Sequence, residues 1–119
     1  VKNAKSKSQA KNIAFSICNS PLVKTAIAGE DANWGRIIMA IGKSSATINQ
    51  KKISIQIGKH LIINKGELSA NYREKELTRY LKKNEIVITI DLSLGVGKSK
   101  VWTCDLTKKY IDINADYRS

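Results

Sequence analysis

Ile53-Ser54-Ile55-Gln56-Ile57-Gly58-Lys59-His60-Leu61-Ile62-Ile63 is the stretch on which the fold turns. Ile53, Ile55 and Ile57 alternate with Ser54 and Gln56, the two-residue period of a strand with one buried face. Gly58-Lys59 supplies a tight turn, and His60 to Ile63 runs back, so the segment predicts an antiparallel pair. Downstream, Ile86, Ile88, Ile90 and Leu92 alternate with Val87, Thr89 and Asp91, which predicts another strand. Ser93 to Ser99 reads as a turn. Trp102, Cys104 and Leu106 alternate in a further expected strand. Ile111 and Ile113 then continue extended structure and are expected to clamp it to the core.

Upstream of the hairpin the period changes to that of helices. Ser6-Lys7-Ser8-Gln9 fits a capping box, with Ser6 as cap and Gln9 reaching back. Ala10, Ile13, Ala14, Ile17 and Cys18 follow at helical spacing. Pro21 ends that helix, because the residue before a proline is pushed out of the helical region. Pro21 also suits the first turn of a short helix over Leu22 to Ala28, closed by Gly29. Asn33 caps a third helix, with Trp34, Ile37, Ile38 and Ile41 on one stripe and Gly42 just past its end. Residues 43–51 read as a loop. Asn71 and Glu74 resemble another helix start, Leu77, Tyr80 and Leu81 its buried edge, and Lys82-Lys83 its C-terminal end. The order predicts an α+β fold, a single domain with helices packed on one face of a mostly antiparallel sheet.

Length and composition agree with one globular domain of 119 residues, 42% hydrophobic and 26% charged. No apolar run reaches the roughly 18 residues needed to span a bilayer. No signal peptide follows Val1-Lys2-Asn3, and a start at Val1 rather than Met points to a processed product or a fragment. Cys18 and Cys104 are too few for a disulfide framework or a four-thiolate zinc site, and are expected reduced and packed.

The net charge is +11, unevenly spread: residues 1–60 carry 10 bases and 2 acids, residues 61–119 carry 11 bases and 8 acids. Such a surplus attracts polyanions, so a small basic RNA- or DNA-binding module is the competing class. Seventeen of the 21 basic residues are Lys and only four are Arg, the better residue for bidentate base and phosphate contacts. The aromatics are not threaded through the basic stretches as a stacking platform requires. Solvated surface is therefore the preferred reading of the charge.

Four further features invite chemistry. Gly95-Val96-Gly97-Lys98-Ser99 resembles a phosphate loop, but Leu92 stands where the first glycine belongs and a strand-like segment follows, so a glycine turn is expected. His60 is the only histidine and has no nucleophile motif around it, so a place at the edge of a turn is expected. One histidine with scattered carboxylates does not supply a metal site. Glu30-Asp31 precedes the Asn33 helix, where acids are favourable against the dipole. The terminal Asn114-Ala115-Asp116-Tyr117-Arg118-Ser119 mixes an amide, a carboxylate, a phenol, a guanidinium and a hydroxyl beside an α-carboxylate. Its chemistry suits a ligand anchor or a docked chain end equally.

Four segments together carry a resemblance: Leu22-Val23-Lys24-Thr25-Ala26, Gly29 to Ile37, Cys104-Asp105-Leu106-Thr107, and Ile113 to Ser119. In that order and spacing they resemble the ornithine acetyltransferase (glutamate N-acetyltransferase) family of arginine biosynthesis, over all 119 residues. Ala32 stands where the family usually has Pro, and Thr103 where Gly usually precedes Cys-Asp-Leu-Thr. Neither change removes a charged or nucleophilic group.

The resemblance implies that residues 1–119 are the C-terminal domain of the β chain of a longer, autocatalytically cleaved cytoplasmic enzyme. It implies acetyl transfer from N-acetylornithine to glutamate through an acetyl-threonine, with acetyl-CoA a further donor in some members and no cofactor or metal. The nucleophilic Thr, its oxyanion hole and other substrate contacts are expected in preceding polypeptide, so no catalytic residue is assigned here and the isolated chain is expected to be inactive. Implied partners are the upstream α chain and the rest of the β chain, two of each per molecule. Small amino acids are the implied ligands, and no membrane or nucleic acid is implied. Asn114 and Ser119 match family positions that contact the amino-acid substrate, Asn114 by its amide and Ser119 by its hydroxyl or α-carboxylate. The Glu30-to-Arg36 signature is expected to be structural.

Overall fold

Isoleucine does most of the packing. Ile13, Ile41, Ile53, Ile55, Ile57, Ile62 and Ile90 are among the largest fully buried side chains. The computed structural model describes residues 1–44 and 48–116. Among them the chain forms α1 (Lys7–Cys18), α2 (Pro21–Ala28) and α3 (Trp34–Lys43), then β1 (Ser54–Ile57), β2 (His60–Asn64) and β3 (Glu67–Leu68). α4 (Glu74–Tyr80), β4 (Ile88–Asp91) and α5 (Lys108–Asp116) complete it.

The strands form one antiparallel sheet in the order β3-β2-β1-β4. Ile57 pairs with His60 across the turn, and Ile55 with Ile90 of β4. On β1 the two isoleucines are fully buried while Ser54 and Gln56 are half-buried, as the alternation predicts. Ile13, Ile37 and Ile41 of the helices share one core with Ile55, Ile57, Ile62 and Ile90 of the sheet. The expected α+β architecture is therefore present.

The helix starts follow their caps. Ser6 Oγ accepts from the Gln9 N–H at 3.0 Å, and Gln9 Oε1 accepts from the Lys5 N–H at 2.7 Å, one residue earlier than the capping box anticipates. Ser20 caps α2 and Asn33 caps α3 through their side-chain oxygens. Gly42 lies inside α3, not past its end, and the cap is Ser44. Trp34 remains partly exposed. α4 starts after Arg73 with no side-chain cap, so Asn71 is not its cap. The expected loop at 43–51 gives up Lys43 to α3, Gln50–Lys52 form a 3-10 turn, and 45–47 lie outside the described residues. The two-residue β3 was not anticipated.

The largest departure is at the C-terminal end. Trp102, Cys104 and Leu106 are not in a strand: residues 101–107 form an irregular strap across the helices. Thr103 Oγ1 donates to the Cys18 carbonyl at 3.1 Å, and the Leu106 N–H to that of Lys24 at 3.3 Å. Ile111 and Ile113 do not continue extended structure. They lie in α5, half or more exposed, and clamp nothing to the core. The Thr107 side chain accepts from the Tyr110 N–H at 3.1 Å, and the Ile111 N–H donates to the Thr107 carbonyl. Thr107 is thus a cap, and its satisfied N–H groups favour helix over strand here.

Candidate functional site

The glycines of the 95–99 segment are held by backbone pairing with the N-terminal residues. The Gly97 N–H donates to the Ala4 carbonyl and the Ala4 N–H to that of Gly97, each at 2.8 Å. The N–H groups of Leu94 and Gly95 donate to the Asn3 carbonyl, and that of Ser99 to Val1. No N–H of that set is left to cradle a phosphate, and a Cβ on Gly97 would collide with the Ser6 backbone. Glycine is there for close approach of two backbones.

His60 begins β2 beside the turn, as expected, and meets the Tyr80 ring edge-on with centroids 6.2 Å apart. The hydroxyls of Thr25, Ser54, Ser93 and Thr103 spend their bonds on backbone groups, on Arg36 or on Asp91. Among the described residues no three of His, Cys, Asp and Glu gather where a metal could sit. Burial pushes the Cys18 thiol up from its ordinary value, against the pull of the Val1 ammonium and Lys24, so it is a poor thiolate source. Cys104, expected to be packed, is exposed because the strap carrying it lies on the surface.

The signature stretch is structural glue. Arg36 on α3 donates through Nη1 to the Leu22 carbonyl at 2.8 Å and to Thr25 Oγ1 at 3.3 Å, tying α3 to α2. Asn33 Oδ1 accepts from the Arg36 N–H, and Asn33 Nδ2 donates to Asp31 Oδ2 at 3.4 Å. Neither acid lies in the first turn of α3, so the direct dipole role expected for the pair is replaced by Asp31 orienting the cap. Glu30 sits in the left-handed backbone region that turns the chain between α2 and α3.

What remains is the C-terminal strap with the groove beneath it, and the helix that follows the strap. An open groove of about 1170 Å³ runs between the helices, the edge of β4 and the strap, with Val23, Ile27, Leu81, Ile88 and Trp102 among its lining. α5 stands off from it, every residue from Lys108 to Ala115 being exposed. Asn114 is on α5, its Nδ2 donating to the Tyr110 carbonyl of the preceding turn at 2.8 Å. The amide oxygen has no partner among the described residues and can accept a bond from an ammonium group. Ser119 lies outside the described residues. The apolar face of α5 is the feature the sequence reading missed, and Thr107-Lys108-Lys109-Tyr110, a cap and its first turn, is the signal that could have found it.

The chain matches the model of the ArgJ family over residues 1–119. It is 59% identical over 110 residues to the arginine biosynthesis bifunctional protein ArgJ of Ruegeria pomeroyi, covering 92% of this chain and 27% of that protein. It is 50% identical over 119 residues to the protein of the same name from Bartonella quintana, covering all of this chain and 29% of that one. It also resembles the crystal structure of arginine biosynthesis bifunctional protein ArgJ from Bacillus halodurans. That likeness has a TM-score of 0.93 and 44% identity over 98% of this chain and 55% of the solved one. The chain thus spans less than a third of the length of the curated relatives it matches. The match displaces the small basic nucleic-acid module. On these grounds the chain belongs to the ArgJ family.

Proposed function

We propose that residues 1–119 are the C-terminal domain of the β chain of an acetyltransferase that moves an acetyl group from N-acetylornithine to glutamate. The observation that carries this reading is the family match along the whole chain, joined to the fold shared with the Bacillus halodurans protein. Relative lengths support cleavage into two chains. If 119 residues are 29% of a relative, that relative has about 410. If 98% of 119 residues is 55% of the solved chain, that chain has about 210, close to half.

In the proposed cycle a threonine hydroxyl at the new N-terminus of the β chain attacks the acetyl carbonyl of N-acetylornithine. Ornithine leaves with its amine protonated, and the acetyl group rests on the threonine oxygen. The amine of glutamate then attacks that ester and regenerates the hydroxyl. This chain's part is to hold the amino acid. Asn114 would accept from the α-ammonium through its amide oxygen, and Ser119 would contact the same substrate through its hydroxyl. The α chain and the remainder of the β chain would supply the nucleophile, with two copies of each in the working molecule and cytoplasm as its compartment. The proposed reaction draws on no metal or cofactor.

The test is acetyl exchange between N-acetylornithine and glutamate by the full-length protein and by the 119-residue chain alone. Turnover by the former and none by the latter is expected. Exchange by the short chain would place the nucleophile within these residues and overturn the assignment.

A further inference from the structure

α1 ends at Cys18, and a helix end leaves carbonyls with no partner in their own helix. Thr103, 85 residues further on, supplies a partner for one of them. Its Oγ1 donates to the Cys18 carbonyl at 3.1 Å, while the carbonyl of the adjacent Cys104 lies farther off at 3.5 Å. No other donor reaches the Cys18 carbonyl among the described residues. Glycine, the residue usual at this position in the family, has no hydroxyl to offer. The strap has few other ties. Residues 101–107 have no regular structure. After Ser99, whose backbone pairs with Val1, the strap bonds to the helices twice among the described residues: Thr103 to Cys18 on α1, and the Leu106 N–H to the Lys24 carbonyl on α2 at 3.3 Å. Thr107 then caps α5, and every residue of α5 from Lys108 to Ala115 is exposed. This domain therefore holds α5, and Asn114 on it, by way of the strap.

We infer that Thr103 is a positioning residue: its hydroxyl fastens the strap to the end of α1 and so sets where α5 presents Asn114 to the amino acid. The inference rests on the proposed acetyl transfer and on Asn114 holding the substrate. Thr103 itself touches no substrate. It acts on the fraction of molecules in which the strap is seated, and substrate affinity falls in proportion to that fraction. The chemical step belongs to the threonine nucleophile in preceding polypeptide, so it proceeds as before once the amino acid is bound. Loss of the hydroxyl therefore acts on KM and spares kcat. One neutral hydrogen bond is equivalent to roughly a five-fold change in such an equilibrium. The Thr103 side chain is exposed, so replacing it opens no cavity in the core.

The experiment is steady-state acetyl transfer from N-acetylornithine to glutamate by the full-length protein, with backbone amide exchange at Leu106 as a second reading. Thr103→Val keeps the shape of the side chain and loses the hydroxyl, whereas Thr103→Ser keeps the hydroxyl. Thr103→Val is expected to raise the KM for N-acetylornithine about five-fold and to change kcat by less than about two-fold. It should also speed exchange at Leu106 and leave the β1 and β2 amides unchanged. Thr103→Ser should restore both the KM and the Leu106 rate. An unchanged KM in Thr103→Val would overturn the positioning role. So would a fall in kcat at constant KM, or a serine variant that behaves like the valine one. Failure of the unsubstituted protein to transfer acetyl is a separate result, which sinks the proposed reaction and the role of Thr103 with it. Transfer with an unmoved KM sinks the role of Thr103 alone.

Discussion

Asp91 shows how single residues hold the ends of this fold together. Its Oδ1 accepts from Asn3 Nδ2 at 3.0 Å and from the Ser93 N–H at 2.9 Å, joining the N-terminal segment to the edge strand β4. Burial by itself pushes the carboxyl up, but the bonds from Asn3 and Ser93 and the charge of Lys2 more than reverse it, leaving it below its ordinary value. The folded value is the lower one. The stabilisation is therefore complete above the unfolded value, near 4, and lost as pH falls through the folded value. Unfolding midpoints measured from pH 6 down to about pH 2 should show that loss below the ordinary carboxylate range, and Asp91→Asn should flatten it. Two glycines make a paired prediction. Gly97→Ala should lower the melting temperature, because its Cβ meets the Ser6 backbone. Gly42→Ala, in the last turn of α3 with open space around it, should raise stability by about 0.5 kcal/mol.

Elements were legible wherever a cap or a period spoke clearly. Ser6, Pro21 and Asn33 marked three helix starts, and the alternating isoleucines of β1 marked a half-buried strand. Their weight in the core is testable: Ile57→Ala should cost about 2–5 kcal/mol in denaturant unfolding, since the side chain is fully buried. α5 was hidden by its own chemistry. Ile111 and Ile113 alternate like strand residues, and the lysines after Thr107 are unfavourable at a helix start. The two residues of β3 are too few for any period. Thr107→Ala removes the cap and should cost α5 about 1 kcal/mol, read as faster amide exchange over 110–116. Lys108→Glu should slow the same amides, by placing an acid where the dipole favours one.

At the scale of the whole molecule, the strap and terminal helix lie at the surface of an elongated outline. The chain extends 50 × 33 × 19 Å, and its strap and terminal helix leave Trp102, Tyr110, Ile111 and Ile113 in water. The four segments that carried the family resemblance were legible in sequence because they combine charged, amide and glycine residues at fixed spacing. The structure explains one of them, with Arg36 and Asn33 bracing α2 against α3. The candidate site was half legible. Asn114 could be named from its place in the Ile113-to-Ser119 segment, but its setting on an amphipathic helix could not, because covering such a face takes residues far away in sequence. The central claim is that this domain walls the amino-acid pocket of an ArgJ enzyme. Crystallographic density for ornithine bound to the full-length protein tests it most directly. The expected result is a ligand ammonium within about 3 Å of the Asn114 amide oxygen, at hydrogen-bond distance. Ornithine seated out of reach of both Asn114 and Ser119 would contradict it.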